Sequence, residues 1–234
     1  APLVNQAAYT PTPTITAVPT ATVVPTATAS PRITLTPTPE PYRDPYIQSL
    51  VDRKYGGGVL EDAGSLNGAV GLTRKLFKYR SEGHNLYGFI NIPDGSGPFP
   101  VIVMAHGYVN PAEFSTLDYS VRYADALVAA GYIAIHPNLR GYGPSENGEN
   151  ILGIGDTIDV LNLIALVRQQ AGSEGLLKTA DSSRIGLWGH SMGGGIVMRA
   201  LIVDQDIRAG LLYASVNADE TINLSHFEKD GRGN

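Results

Sequence analysis

Cysteine is absent from the 234-residue sequence, and that absence removes disulfide frameworks, thiolate nucleophiles and cysteine-held zinc or iron–sulfur centres. Long apolar runs are missing too: no stretch approaches the roughly 18 consecutive apolar residues that span a bilayer. With 17 Lys and Arg against 22 Asp and Glu, the formal net charge is −5 and no basic run stands out. An electrostatic footprint for nucleic acid or an anionic membrane is therefore lacking. Charged residues make up only 17% while apolar ones reach 43%, a balance that suits one globular core plus an extension. The first residue is Ala1 rather than Met, so a signal peptide or lipid anchor is expected to have been removed or to lie upstream.

The extension is visible in the composition. Residues 9–41 are mainly Thr, Pro, Ala and Val, and proline recurs at Pro13, Pro19, Pro25, Pro31 and Pro37. Proline fixes φ and removes backbone donors, which predicts an extended, solvated spacer with no core of its own over residues 1–41. Such spacers hold extracytoplasmic domains away from a surface, so a secreted or cell-surface location, bacterial, is expected; a disordered cytoplasmic tail is the alternative.

From residue 42 the punctuation becomes that of a folded domain. Residues 74–79 and 86–92 flank the turn-like Ser81-Glu82-Gly83, predicting an antiparallel hairpin. The apolar run over 100–105 predicts a parallel strand buried on both faces. A helix is expected over 118–130, with Tyr119, Tyr123 and Leu127 on one face and Gly131 as its stop. Strands over 132–136, 184–188 and 209–215 alternate with an apolar helix over 156–170 and a helix over 193–203. The fold class is α/β: a mainly parallel sheet with helices on both faces.

The sharpest chemical signal is Gly189-His190-Ser191-Met192-Gly193, where a strand becomes a helix. A serine there sits on a sharp, strained turn with its hydroxyl above the sheet, and the flanking glycines leave room for neighbouring backbone. Ser191 is the candidate nucleophile. The following helix start places backbone N–H groups and a positive dipole end beside the oxygen that becomes negative in acyl transfer. His106-Gly107-Tyr108 ends the first buried strand, where a second such N–H is supplied. Tyr108 and Met192 are the candidate oxyanion-hole donors, through their backbones, with Gly189, Gly193, His106 and Gly107 as support. The bland alternatives are a glycine-rich helix start and an ordinary turn.

His106, His136 and His190 fall at successive strand ends, yet His190 is the backbone neighbour of the nucleophile and should point away from it. No metal site and no cofactor are expected, and each histidine reads as packing. Arg140, in the loop through Ser145, reads as scaffold held by local carbonyls or carboxylates.

Tyr79-Arg80-Ser81, Leu86-Tyr87-Gly88, His106-Gly107-Tyr108, Arg140-Gly141-Tyr142-Gly143 and the run from Arg184 to Gly194 together resemble the catalytic domain of prolyl-oligopeptidase-type serine hydrolases. The resemblance implies an α/β-hydrolase fold over residues 42–234, a Ser–Asp–His triad, and peptidase or esterase activity on a small ester or peptide. The β-propeller that gates true oligopeptidases has no counterpart upstream.

The departure lies near Asn234. Triad order in this fold is Ser, then Asp or Glu, then His, on separate strand ends, and few residues follow Ser191. Asp219 stands past the last expected strand, and His226 is the only histidine left, with no intervening strand to aim it back. They are the nominal partners; the expected explanation is that the last strands, the acid and the base lie beyond Asn234. A noncatalytic, surface-displayed binding or scaffold module on the same fold is the competing function.

Overall fold

The structure, a computed structural model, describes residues 47–229. The predicted spacer over 1–41, and the first residues of the domain, lie outside the described residues. Helix α1 (Ile47–Val51) and strand β1 (Glu61–Ser65) precede a long hairpin of β2 (Leu72–Ser81) and β3 (His84–Pro93). The hairpin reverses through Glu82 and Gly83, both at positive φ (49° and 88°), with Ser81 paired to His84. A two-residue turn with both central residues in that region matches the right-handed strand twist. The predicted hairpin is therefore present, with strands longer than their apolar cores suggest.

The parallel part follows as β4 (Phe99–Ala105), α2 (Val121–Ala129), β5 (Ile133–Pro137), a single 3-10 turn (Ile151–Gly153), α3 (Ile154–Gln170), β6 (Ala180–His190), α4 (Met192–Val203), β7 (Ala209–Tyr213) and α5 (Glu220–Lys229). Among the described residues these strands form one seven-stranded sheet in the order β1-β2-β3-β5-β4-β6-β7. β5, β4, β6 and β7 run parallel, whereas β1 to β3 form an antiparallel flank that joins the parallel set through β3 and β5. β1, α1 and α5 carry no apolar run or alternation long enough to be read from sequence.

Burial explains the interior elements. In β5 every residue is buried, as a strand covered on both faces must be. α3 is buried nearly all round rather than along one stripe, which marks a helix enclosed by its neighbours. The main core runs from Phe77, Tyr79 and Leu86 through Val101, Val103 and Ile135 to Leu161, Leu187 and Val197. β7 is different: all five of its residues are exposed, Leu211, Leu212 and Tyr213 among them. Among the described residues it pairs with β6 alone.

One predicted boundary moves. The helix expected over 118–130 is Val121–Ala129, so Tyr119 stands outside it instead of sharing a face with Tyr123 and Leu127. Those two pack beneath, against the cluster of Phe89, Met104 and Trp188. Tyr119 turns to the site described next.

Candidate active site

The parallel order β5-β4-β6-β7 brings the C-terminal ends of four strands together, the edge on which open α/β sheets carry their chemistry. β6 ends at His190, α4 begins at Met192, and Ser191 alone makes the turn, at φ 52° and ψ −117°. That region is strongly disfavoured for a residue with a Cβ, and strain of this kind gathers at functional sites. The surroundings hold it in place. The Ser191 N–H donates to the Tyr213 carbonyl at 3.1 Å, while its own carbonyl accepts from Gly194 at 2.9 Å and Val216 at 3.2 Å.

The glycines of the turn are fixed by contact. A Cβ on Gly193 would collide with the Ala105 and His106 carbonyls of the β4 end, and one on Gly189 would strike the backbone of Gly193. A side chain at either position would push β6, α4 and β4 apart. Gly107 shows how near the two strand ends lie: a Cβ built there would stand 3.1 Å from the Ser191 Cβ, 2.9 Å from His190 Nδ1 and 2.8 Å from Tyr119 Oη. Ser191, Met192, Gly107 and Tyr108 thus share one place. Met192 opens α4, so its N–H belongs to the first turn, whose donors have no partner inside the helix.

Each histidine has a different setting. His106 is fully buried, with Nδ1 2.7 Å from the Gly107 carbonyl and Nε2 2.9 Å from the Asn138 carbonyl. Burial holds it below the ordinary histidine value although both carbonyls oppose the shift. His136 stacks between Phe89 and His106, and burial lowers it much further. His190 shares a 2.6 Å hydrogen bond between its Nδ1 and Tyr119 Oη, and its ring packs beside Trp188 and Tyr213. Among the described residues no group of three or more His, Asp or Glu side chains converges to hold a metal ion.

Asp219 and His226 are not brought to Ser191. The Asp219 carboxylate accepts from the N–H of Thr221 at 2.9 Å and from its hydroxyl, bonds that hold its pKa below the usual range. Asp219 therefore caps the start of α5, and His226 lies exposed further along the same helix. Among the described residues neither hydrogen-bonds the Ser191 hydroxyl: Asp219 is engaged at the start of α5 and His226 is exposed. Arg140 is enclosed: Nε and Nη2 donate to Asp159 at 2.8 and 2.6 Å, Nη2 also to Glu82 at 3.0 Å, and Nη1 to the Glu149 carbonyl at 2.6 Å. A guanidinium so enclosed is scaffold.

Beside the turn opens a cavity of about 290 Å³, lined by Tyr108, Met192 and Ile196 together with Asn150, Asp156 and Arg199. The last three were not legible as site residues, since no motif or periodicity marks them: Asn150 lies in a loop, and Asp156 and Arg199 within helices. Burial raises the Asp156 carboxyl to about 7, against the hydrogen bond from Asn150.

The architecture and this turn define a class, and residues 102–231 match the sequence profile of the alpha/beta hydrolase family. The chain belongs to that family. It is 30% identical over 119 residues to an uncharacterized 31.7 kDa protein from the traX-finO intergenic region of Escherichia coli, covering 50% of this chain and 37% of that one. It is 35% identical over 121 residues to epoxide hydrolase A of Mycobacterium tuberculosis, covering 51% of this chain and 32% of that one. The chain spans about a third of the length of these curated relatives. Among solved structures, an acetyl xylan esterase from Paenibacillus sp. R4 is similar at a TM-score of 0.51 and 20% identity, over 71% of this chain and 57% of that one. An S-formylglutathione hydrolase from Agrobacterium tumefaciens is similar at 0.51 and 19%, over 67% and 62%. At such identities the likeness is one of fold.

Proposed function

We propose that the protein is a serine hydrolase that cleaves carboxylic esters through an acyl-enzyme on Ser191. The observation that carries this reading is the backbone of Ser191, a residue with a Cβ held at φ 52° between a buried strand and a helix start. In the proposed reaction the Ser191 Oγ attacks the ester carbonyl carbon, its proton passes to a general base, and the N–H groups of Tyr108 and Met192 hold the oxyanion. Collapse of the tetrahedral intermediate expels the alcohol, which takes up that proton. Water then repeats the sequence on the acyl-enzyme and releases the acid.

The base and its orienting acid are inferred to come from outside residues 47–229, since neither Asp219 nor His226 reaches the hydroxyl. Ester cleavage is the activity of the acetyl xylan esterase with the similar fold, and it asks only for the elements named above. Cleavage of small peptides, as in the prolyl-oligopeptidase type, is the finer variant, supported by the motifs around Arg140 and Ser191. The match to epoxide hydrolase A covers too little of that protein to bring its reaction here. A secreted or surface-tethered location remains part of the proposal, on the composition of residues 1–41.

A second reading, a noncatalytic binding module, is favoured by one observation: no base among the described residues hydrogen-bonds the Ser191 hydroxyl. A fluorophosphonate probe separates the two. Stoichiometric labelling at Ser191, lost with its p-nitrophenyl acetate turnover in Ser191→Ala, is expected of the hydrolase. Turnover unchanged in the alanine variant would refute the assignment.

A further inference from the structure

The cavity beside Ser191 contains a polar group that the proposed chemistry does not use. Most of its wall is apolar, from Leu152, Met192, Ile196 and Val216, yet Asp156 and Asn150 are part of the same lining. Asp156 sits in the first turn of α3 and is fully buried. Its Oδ2 accepts from Asn150 Nδ2 at 2.7 Å, and its own N–H donates back to Asn150 Oδ1 at 3.1 Å. Its other oxygen, Oδ1, is equally buried and has no hydrogen-bond partner. A helix start accounts for a carboxylate at this position. It does not account for the unpaired oxygen, because buried polar atoms are almost always satisfied and the exceptions call for an explanation.

We propose that Asp156 is a specificity residue of this site, accepting a hydrogen bond from a hydroxyl carried by the substrate group that fills the cavity. The proposal rests on the reading of Ser191 as nucleophile and extends it to the substrate. The class of group follows from the donor and acceptor inventory. An ionised carboxylate only accepts, so its complement is a donor. A cationic donor fits poorly: Arg199 shares the lining, and both Arg199 and Arg140 already act on Asp156. An uncharged hydroxyl meets neither objection. A volume of about 290 Å³ corresponds to roughly ten water volumes. That admits a short hydroxyacyl or hydroxyalkyl group and excludes a folded peptide segment.

Binding can be read without turnover, so the test is kept separate from the fate of the nucleophile. The full chain carrying Ser191→Ala is titrated at pH 8 with butyramide and with 2-, 3- and 4-hydroxybutyramide, followed by NMR. The best hydroxy analogue is expected to bind about tenfold tighter than butyramide, the scale of a hydrogen bond to a charged group. Adding Asp156→Leu should reduce that preference below about twofold, and 3-aminobutyramide should gain nothing over butyramide. Should the leucine variant fail to fold, pH supplies the same test. Tyr79, Tyr142, Asp159, Arg140 and Arg199 also face Asp156 electrostatically. Both tyrosines are raised by burial, and Asp159 is ion-paired with Arg140. The hydroxyl preference should therefore increase severalfold from pH 6 to pH 8 as Asp156 ionises. Equal binding of all four amides, preference for the amine, a preference that survives Asp156→Leu, or one that ignores pH would each overturn the proposal. If instead the probe fails to label Ser191 while the binding preference holds, the nucleophile is wrong and the subsite stands.

Discussion

Replacing Arg140 by Met tests the scaffold under the candidate site. The guanidinium is 1% exposed and its partners Asp159 and Glu82 are 0% and 9% exposed, so the substitution leaves Asp159 without its cation, beside only the Ser81 hydrogen bond, and loosens Glu82. Glu82 keeps Arg53 as an ion-pair partner; among the described residues Asp159 has no other ion pair. Removing one member of a buried pair destabilises by about 3–5 kcal/mol, because the remaining charge has no compensation. For a domain of this size each kcal/mol moves Tm by about 2–4 °C, which gives a fall of about 6–20 °C by calorimetry. The pH dependence follows from the sign. Burial already raises the Asp159 carboxyl, with Arg140 opposing, and loss of Arg140 raises it further. A carboxyl whose folded pKa lies above its unfolded value destabilises progressively as pH rises through the interval between them, so the penalty should shrink toward pH 4. The double variant Arg140→Met with Asp159→Leu should recover most of the loss, since both charges are then gone. A fall below about 2 °C, or a double variant no better than the single one, would refute this account.

Asp156 gives a second pH effect in the unmodified protein. Its carboxyl is raised to about 7, so it opposes folding increasingly as pH rises from about 4 to 7; Asp156→Asn should flatten the difference between Tm values at pH 5 and pH 8. Deletion of residues 1–40 should leave Tm and ester turnover essentially unchanged, because their Thr/Pro-rich composition predicts a solvated spacer. A clear fall in Tm would show that the segment packs on the domain.

What could be read from sequence was whatever is written locally, in turn residues, glycines and short apolar runs. The Glu82-Gly83 turn, the apolar run of β4 and the glycines around Ser191 report local backbone demands, and they placed the hairpin, a buried strand and the turn. Strand order was not legible, since pairing β5 between β3 and β4 depends on how α2 carries the chain across the sheet. The i, i+4 spacing puts Tyr119 on a helix face, yet α2 starts later and the tyrosine hydrogen-bonds His190. By sequence Asp156 reads as the start of an apolar helix. Its unpaired oxygen comes from the fold of the loop before α3, which no periodicity encodes.

The turn itself poses a sharper question, because packing explains its glycines and leaves the serine unexplained. Ala105 and His106 require Gly193 whatever the protein does, and Gly189 is bound in the same way to Gly193. Position 191 adopts φ 52°, where glycine would be at ease, and the Ser191 side chain makes no capping bond to α4 that would justify its presence. Serine at this position therefore opposes local stability by about 1–3 kcal/mol. Ser191→Gly should relieve that strain, offset by about 0.4–1 kcal/mol from the greater freedom of glycine in the unfolded chain. The expected result is a Tm raised by up to about 10 °C together with loss of fluorophosphonate labelling. Ser191→Ala, which keeps the Cβ and the strain, should lose labelling with little change in Tm. If the glycine variant were no more stable than the alanine one, the backbone of the turn would not be strained, and the main support for Ser191 as a nucleophile would fall.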